Sequence, residues 1–311
     1  MRVLVTGAAG FVGGHAIPEL QKAGHTVVAM VMPGQSNKIA GAEITAAVEL
    51  GDLAGLDSLV QQHKPDACLH LAGMAFVPTA WEQPQEAFRV NVIGTLNLLE
   101  AFRRHQPAAR ILTVTSAQLY GHSVREKPIT EDDPPFADSI YSVSKWASDN
   151  CTRLYAQRYG MHAMTARPCN HIGPGQSESF AVSSFARQMI EISLGRRDPV
   201  IHVGNLESER EFTDVRDVAR AYRLLLEKGR AGIAYNISSG RLEKIKTVFE
   251  KIASIVGVKP DVKIDEKLYR KTDTQPKIST DRLVKDTSWS VTVPLEQTLN
   301  DIVADFRRRV G

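Results

Sequence analysis

The sequence predicts an α/β protein built on a doubly wound parallel sheet. Short apolar runs alternate with amphipathic helical stretches from the N-terminus to Arg167, the order that places helices on both faces of a parallel sheet. The first apolar run ends in a turn with Gly7, Gly10 and Gly13, and that turn opens a helix. After Pro168 the alternation gives way to glycine- and proline-rich loop and irregular chain. The expected architecture is therefore a Rossmann-type sheet with a smaller C-terminal α/β unit.

Each element follows from its own pattern. Residues 2–5 are a short apolar run that reads as a buried first strand. Residues 11–23 read as a helix, with Phe11, His15 and Leu20 about a turn apart, although Pro18 disturbs its regularity. Residues 26–31, 67–71 and 110–115 are further strands. Residues 87–104 read as one long helix on the spacing of Phe88, Val92, Leu96, Leu99 and Phe102. Residues 141–158 form another helix, and 161–167 a strand that Pro168 ends. Beyond it, 178–194 is helical, 200–203 a strand, 215–227 a helix and 235–237 a strand; 246–256 and 293–308 are helical. Residues 1–168 thus form the dinucleotide-binding domain, to which 213–237 returns. Residues 169–212 and 238–311 mainly form the substrate-binding domain.

Composition narrows the class. With 43% hydrophobic and 23% charged residues, the chain is an ordinary globular one. A net charge of +3, with no basic stripe, gives no argument for nucleic acid. Cys68, Cys151 and Cys169 are scattered without metal-ligand spacing, which fits a reducing, cytoplasmic compartment and no bound metal. The chain opens directly into a strand, and no apolar run spans 18 residues, so neither a signal peptide nor a membrane helix is expected.

Gly7, Gly10 and Gly13 between a strand and a helix are the arrangement that lets backbone approach a pyrophosphate at a helix N-terminus. Phe11 and Val12 complete that turn. The position at the end of the second strand that often carries a ribose-binding carboxylate falls on Val31, with neither acid nor arginine beside it. NADP(H) is therefore favoured and NAD(H) possible. Asp52, with Leu53, either accepts from an adenine amine or is a solvated turn residue. Leu71, Ala72 and Gly73 end a strand with small residues, which suits close passage of a cofactor. His70 reads as a packed structural histidine. Asn91 has mediocre helix propensity and serves either a structural or relay role or an ordinary helix surface.

The reacting group is the pair Tyr141 and Lys145, four apart on one helical face. An ammonium beside a phenol favours the phenolate and suits Tyr141 for proton transfer. Ser116, at the end of the 110–115 strand, can donate to a carbonyl oxygen that Tyr141 also approaches. On a strand, 116 and 118 face the same side. Gln118 does not titrate, so it cannot serve as a proton-abstracting base.

Together these residues resemble the extended short-chain dehydrogenase/reductases. The resemblance runs through TGxxGFxG at 6–13, GDL at 51–53, HLAG at 70–73, NVxGTxNLLEA at 91–101, Ser116, the YxxxK pair and the Arg167–Pro168 step. Two segments, 167–176 and 203–222, resemble those of GDP-4-keto-6-deoxymannose reductases. Two departures are Cys169, where that pattern has Phe, and Gln118, where related dehydratases have Glu. The resemblance implies a GDP-sugar in the C-terminal cleft, with Asn170, Arg210 and Arg270 at its diphosphate, Gln118 at the sugar, and a homodimer. It implies reduction at C4 of the sugar, giving GDP-rhamnose; the alternatives are a nucleotide-sugar 4-epimerase or a GDP-mannose 4,6-dehydratase. A non-catalytic dinucleotide sensor on this fold is disfavoured by the intact Ser116, Tyr141 and Lys145.

Overall fold

A computed structural model of the protein describes residues 1–35, 38–121, 127–266 and 275–310. The chain opens with β1 (Arg2–Thr6), α1 (Phe11–Lys22), β2 (Thr26–Val31), β3 (Ile44–Ala47), α2 (Leu53–His63) and β4 (Ala67–His70). Two short helices, α3 (Val77–Glu82) and α4 (Pro84–Phe88), precede α5 (Gly94–His105), β5 (Arg110–Val114), α6 (Ile140–Tyr159) and β6 (His162–Pro168). Next come β7 (His171–Ile172), α7 (Ala181–Ser193), β8 (Val200–Val203), β9 (Glu209–Glu211), β10 (Thr213–Asp214) and α8 (Val215–Lys228). The chain closes with β11 (Ala234–Ile237), β12 (Leu242–Lys244), α9 (Ile245–Val256), β13 (Asp261–Ile264), α10 (Asp281–Thr287) and α11 (Leu295–Val310).

The main sheet has seven parallel strands in the order β11-β6-β5-β4-β1-β2-β3. Alternate residues of each strand feed opposite faces. Val3 and Val5 of β1 pack in a core with α1 and α8, whereas Leu4 packs in a core with α2 and α5. Burial on both faces accounts for the unbroken apolar runs of β1, β2 and β4. A third core brings α7, α9 and α11 together around Phe185, Phe249 and Phe306, with Ile201 and Val203 of β8. Strand order reverses beside β1, where ligands of such sheets sit, and the loop after β4 reaches the start of α7 through Phe76 and Phe180.

The structure refines or corrects the sequence reading in four places. The stretch 87–104 is helical throughout, as read, but is not a plain α-helix. It is α4, a π-helical turn at Arg89–Ile93, and α5. Pro168 ends β6, as read, and is itself the last residue of the strand, opposite Ile237, where its missing donor costs no ladder bond. Asp52 is more than a solvated turn residue: its side chain caps α2. The alternation argument for Ser116 and Gln118 also fails. β5 ends at Val114, and Ala117–Tyr120 form a 3-10 turn capped by the Ser116 side chain. The two residues adjoin because the Gln118 backbone N–H donates to Ser116 Oγ at 3.1 Å.

Candidate active site

The glycine turn after β1 is shaped by a single close approach. Gly7 has φ of +65°, and a Cβ there would lie 2.9 Å from the Ala72 nitrogen just past β4. Only glycine lets the β1 and β4 loops touch in this way. Gly10 is the N-cap of α1, with no side-chain cap. Phe11, Val12 and Gly13 occupy its first turn, where amides have no intrahelical acceptor. Such amides at a helix N-terminus suit a pyrophosphate. The Ala72 amide donates to Thr6 Oγ1 at 3.1 Å, and Leu71 and Gly73 continue the same loop. Residues 7–13 and 71–73 are thus brought together, while Asp52 and Leu53 lie at the head of α2. Asp52 Oδ1 accepts from the Gly55 amide at 2.9 Å, so that oxygen is committed to the cap. Val31 is buried in the core and Met32 is 60% exposed.

Gly73 links this cradle to the reacting residues. A Cβ on it would come within 2.8 Å of Asn91 Oδ1 and 3.0 Å of Lys145 Nζ. Asn91 is buried in the π-helical turn, not on a helix surface. Its Oδ1 accepts from the Met74 amide at 2.8 Å, and its Nδ2 donates to Met74 O at 3.2 Å and to Ser144 Oγ at 2.9 Å. The extra residue in that turn aims the carboxamide at the loop above α6. His70 is the packed histidine expected of it. Its Nδ1 lies 2.7 Å from Thr6 Oγ1 and its Nε2 3.0 Å from Thr95 Oγ1, and burial, then Lys145, lowers its pKa to about 3.

Tyr141 and Lys145 stand one turn apart on α6, both buried. Ser139 starts that helix with a reciprocal capping box with Ser142, which fixes where Tyr141 emerges. Lys145 Nζ donates to Val114 O at 3.1 Å, and burial lowers its pKa to about 8. Burial raises the Tyr141 phenol, and a hydrogen bond with Ser116 partly opposes that rise. In this state it is Ser116, and not Lys145, that favours the phenolate.

Sequence reasoning missed the support behind this pair. Asp149 follows on the same face at the next i+4 position, a spacing that could have revealed it. Arg167 holds Asp149 with two bonds, Nε to Oδ1 at 3.0 Å and a terminal nitrogen to Oδ2 at 2.7 Å. The other terminal nitrogen of Arg167 donates to Tyr120 Oη at 2.7 Å, and that hydroxyl donates to Asn236 Oδ1 at 3.0 Å. Burial pushes the Asp149 carboxyl up, but Arg167 outweighs it and leaves the group below the ordinary range. The network ties α6 to the Ser116–Tyr120 turn and so to the reacting pair.

On the other wall, Asn170 follows β6 and Arg210 lies on β9. Asn170 Nδ2 donates to Gln275 Oε1 at 3.2 Å. Arg270 lies outside the described residues. His171 stacks on Phe11, with ring centroids 6.1 Å apart and planes 8° apart, which joins this wall to the glycine turn. Beneath it, Cys169 and Glu211 are buried in contact, and burial pushes the Glu211 carboxyl up to about 7. No group of metal-ligating side chains occurs among the described residues. No helix among them is long and apolar enough to cross a membrane.

A seven-stranded parallel sheet with a glycine cradle and a buried Ser–Tyr–Lys set defines an extended short-chain dehydrogenase/reductase, an oxidoreductase. The chain belongs to the GDP-mannose 4,6 dehydratase family, whose pattern it matches over residues 4–302. It is 34% identical to GDP-6-deoxy-D-mannose reductase of Pseudomonas aeruginosa, covering 99% of this chain and 98% of that one. It is 31% identical to dTDP-glucose 4,6-dehydratase of Xanthomonas campestris pv. campestris, over 81% and 75% of the two chains. The solved structure of RMD from Pseudomonas aeruginosa complexed with NADPH superposes with a TM-score of 0.88 at 33% identity, over 99% of both chains.

Proposed function

We propose that the protein reduces the C4 keto group of a nucleotide sugar with NADPH or NADH, converting GDP-4-keto-6-deoxy-D-mannose to GDP-D-rhamnose. The observation that carries this reading is the buried set of Ser116, Tyr141 and Lys145 beside a residue, Gln118, that cannot take up a proton. The cradle suits a dinucleotide, since the first amides of α1 carry no side-chain cap and Gly7 lets the β1 and β4 loops close together beside them. Gly7, Gly10, Phe11, Val12 and Gly13 would hold its pyrophosphate; Asp52, Leu53, Leu71, Ala72, Gly73, Asn91, Tyr141 and Lys145 would line the rest. Bound there, the nicotinamide supplies a hydride.

Ser116 donates to the sugar carbonyl oxygen and steadies the negative charge that develops on it. Tyr141 hands its proton to the same oxygen. Lys145, one helical turn from Tyr141, would bind the ribose of the nicotinamide. Asn91 holds the Met74 loop over them. Asn170, Arg210 and Arg270 take the diphosphate, for which a guanidinium fork is well suited, and residues 169–212 with 238–311 form the substrate-binding unit. Preference for NADPH is supported by the NADPH-bound relative. A second copy of the chain is the expected partner. Exposed Leu154, Tyr159 and Trp146 on α6, with Ile93 beside α5, offer an apolar face for pairing. Nothing in the composition favours nucleic acid.

The test is turnover in heavy water with GDP-4-keto-6-deoxy-D-mannose. One NAD(P)H should be consumed per product, with its hydride at C4 and no deuterium at C3 or C5. Deuterium at C5, or dehydration of GDP-mannose without added reduced cofactor, would show that another residue acts as a base and would overturn the reductase reading.

A further inference from the structure

Gln275 lies far along the chain from Asn170 and Arg210, yet it touches both Asn170 and the strand that carries Arg210. Its backbone amide donates to Glu209 O at 3.2 Å, and its Oε1 accepts from the Glu211 amide at 3.2 Å. These bonds grip β9 on both sides of Arg210. The opposite edge of the same three-residue strand pairs with β12, where Arg210 faces Glu243. Strand alternation puts the Arg210 side chain on the face opposite Glu209 and Glu211.

The same contacts fix the orientation of two amides. A backbone N–H only donates, so the Gln275 atom that meets the Glu211 amide must be the carbonyl oxygen. The Asn170 atom on that oxygen must then be its nitrogen, at 3.2 Å. One carbonyl therefore holds Asn170 and the Arg210 strand together, across 105 residues of sequence. The Gln275 NH2 group is left over. It has two donors and no partner among the described residues, and the residue is only half-buried.

We infer that Gln275 is a substrate-positioning residue: its carbonyl locks Asn170 and the Arg210 strand, and its amide donates to the diphosphate of a nucleoside-diphosphate sugar. The inference rests on the nucleotide-sugar reading above and adds a residue to it. Losing one hydrogen bond to a charged group corresponds to about 10- to 100-fold in affinity.

Two variants separate locking from donation. Gln275→Ala removes both. Gln275→Glu keeps an oxygen for the Glu211 amide and for Asn170 but replaces the donors with a negative charge. Binding of GDP, UDP and dTDP to the full-length protein is measured by calorimetry, and KM and kcat are measured with GDP-4-keto-6-deoxy-D-mannose. Both variants should bind the preferred diphosphate at least 10-fold more weakly, Gln275→Glu more weakly than Gln275→Ala. KM should rise while kcat and NADPH affinity stay within about twofold. Should Gln275→Ala fail to fold, Gln275→Glu alone decides, because it preserves the lock. Wild-type affinity in Gln275→Glu, or a loss confined to kcat, would overturn the inference. Diphosphate binding without turnover of the keto sugar would sink only the reductase reading. A wild-type protein that binds none of the three diphosphates would remove both.

Discussion

The two walls of the cleft differ in how far along the chain their parts come from. Ser116, Tyr141, Lys145 and Asp149 come from one strand end and the single helix that follows it, and all are buried. Asn170, Arg210 and Gln275 come from three separate segments, joined by one amide oxygen. The first wall is preorganised by packing, as electrostatic stabilisation of a transition state requires. The second is held by a few exchangeable hydrogen bonds of 3.2 Å, the looser construction that suits its proposed role of admitting and releasing a large polar ligand. Substitutions on the first wall should therefore act on kcat or stability, and those on the second on KM.

The sharpest way to break that division is Tyr141→Phe. The ring still fills its site, so fold and NADPH binding should survive, while turnover falls by ~10²-fold or more, the scale for loss of a general acid. Near-normal kcat in this variant, measured under saturating substrate, would remove the proton donor from the first wall.

Next in size is Asp149→Ala. It leaves the Arg167 guanidinium buried and unpaired beneath α6, and breaking such a pair costs about 3–5 kcal/mol. Chemical denaturation should show that loss. A variant within about 1 kcal/mol of wild type would mean that the Arg167 network does not hold the first wall.

This contrast also explains what could be read from the sequence. The glycine turn, the β1, β2 and β8 strands, and the Tyr141–Lys145 pair rest on periodicity and on spacings within one turn or strand, so they were legible. Asp149 was legible in principle, at the same spacing, but its value comes from Arg167 on the neighbouring strand. The π-helical turn at Arg89–Ile93 was not legible, because its apolar positions continue a helical pattern and only the buried Asn91 carboxamide marks the extra residue. Gln275 carries no local signal at all. Its role exists only because the chain returns to β9.

Lys145 gives a smaller and pH-dependent effect. Its pKa in the fold is about 8, against 10.5 for an ordinary lysine. Between those values the unfolded chain binds more protons than the native one, so stability rises with pH there. Below pH 8 the native state bears the full cost of burying the charge. In the cofactor-free protein, unfolding free energy from pH 8 to 10.5 should therefore climb relative to Lys145→Met, which has nothing to titrate. Parallel curves for the two proteins would show that Lys145 is not desolvated in solution, and the first wall would then be less closed than its packing indicates.

The smallest effect belongs to the far end of the cradle, where neither wall reaches. A carboxylate at Val31 would be a poor probe of cofactor choice, since Val31 is buried in the core and its replacement would disturb packing first. Met32, next in the chain, is the exposed position at that strand end. With neither acid nor guanidinium at Val31 or Met32, discrimination between NADPH and NADH should stay below ~10³-fold, which corresponds to roughly 4 kcal/mol. Met32→Arg should move it towards NADPH by no more than about fivefold, because an exposed ion pair contributes about 0.2–1 kcal/mol and is screened by salt. The measurement is kcat/KM for both cofactors at low and high ionic strength. A salt-insensitive preference above 10³-fold in the wild type would reveal a buried charged contact to the ribose phosphate, and the adenine end would then belong with the preorganised wall.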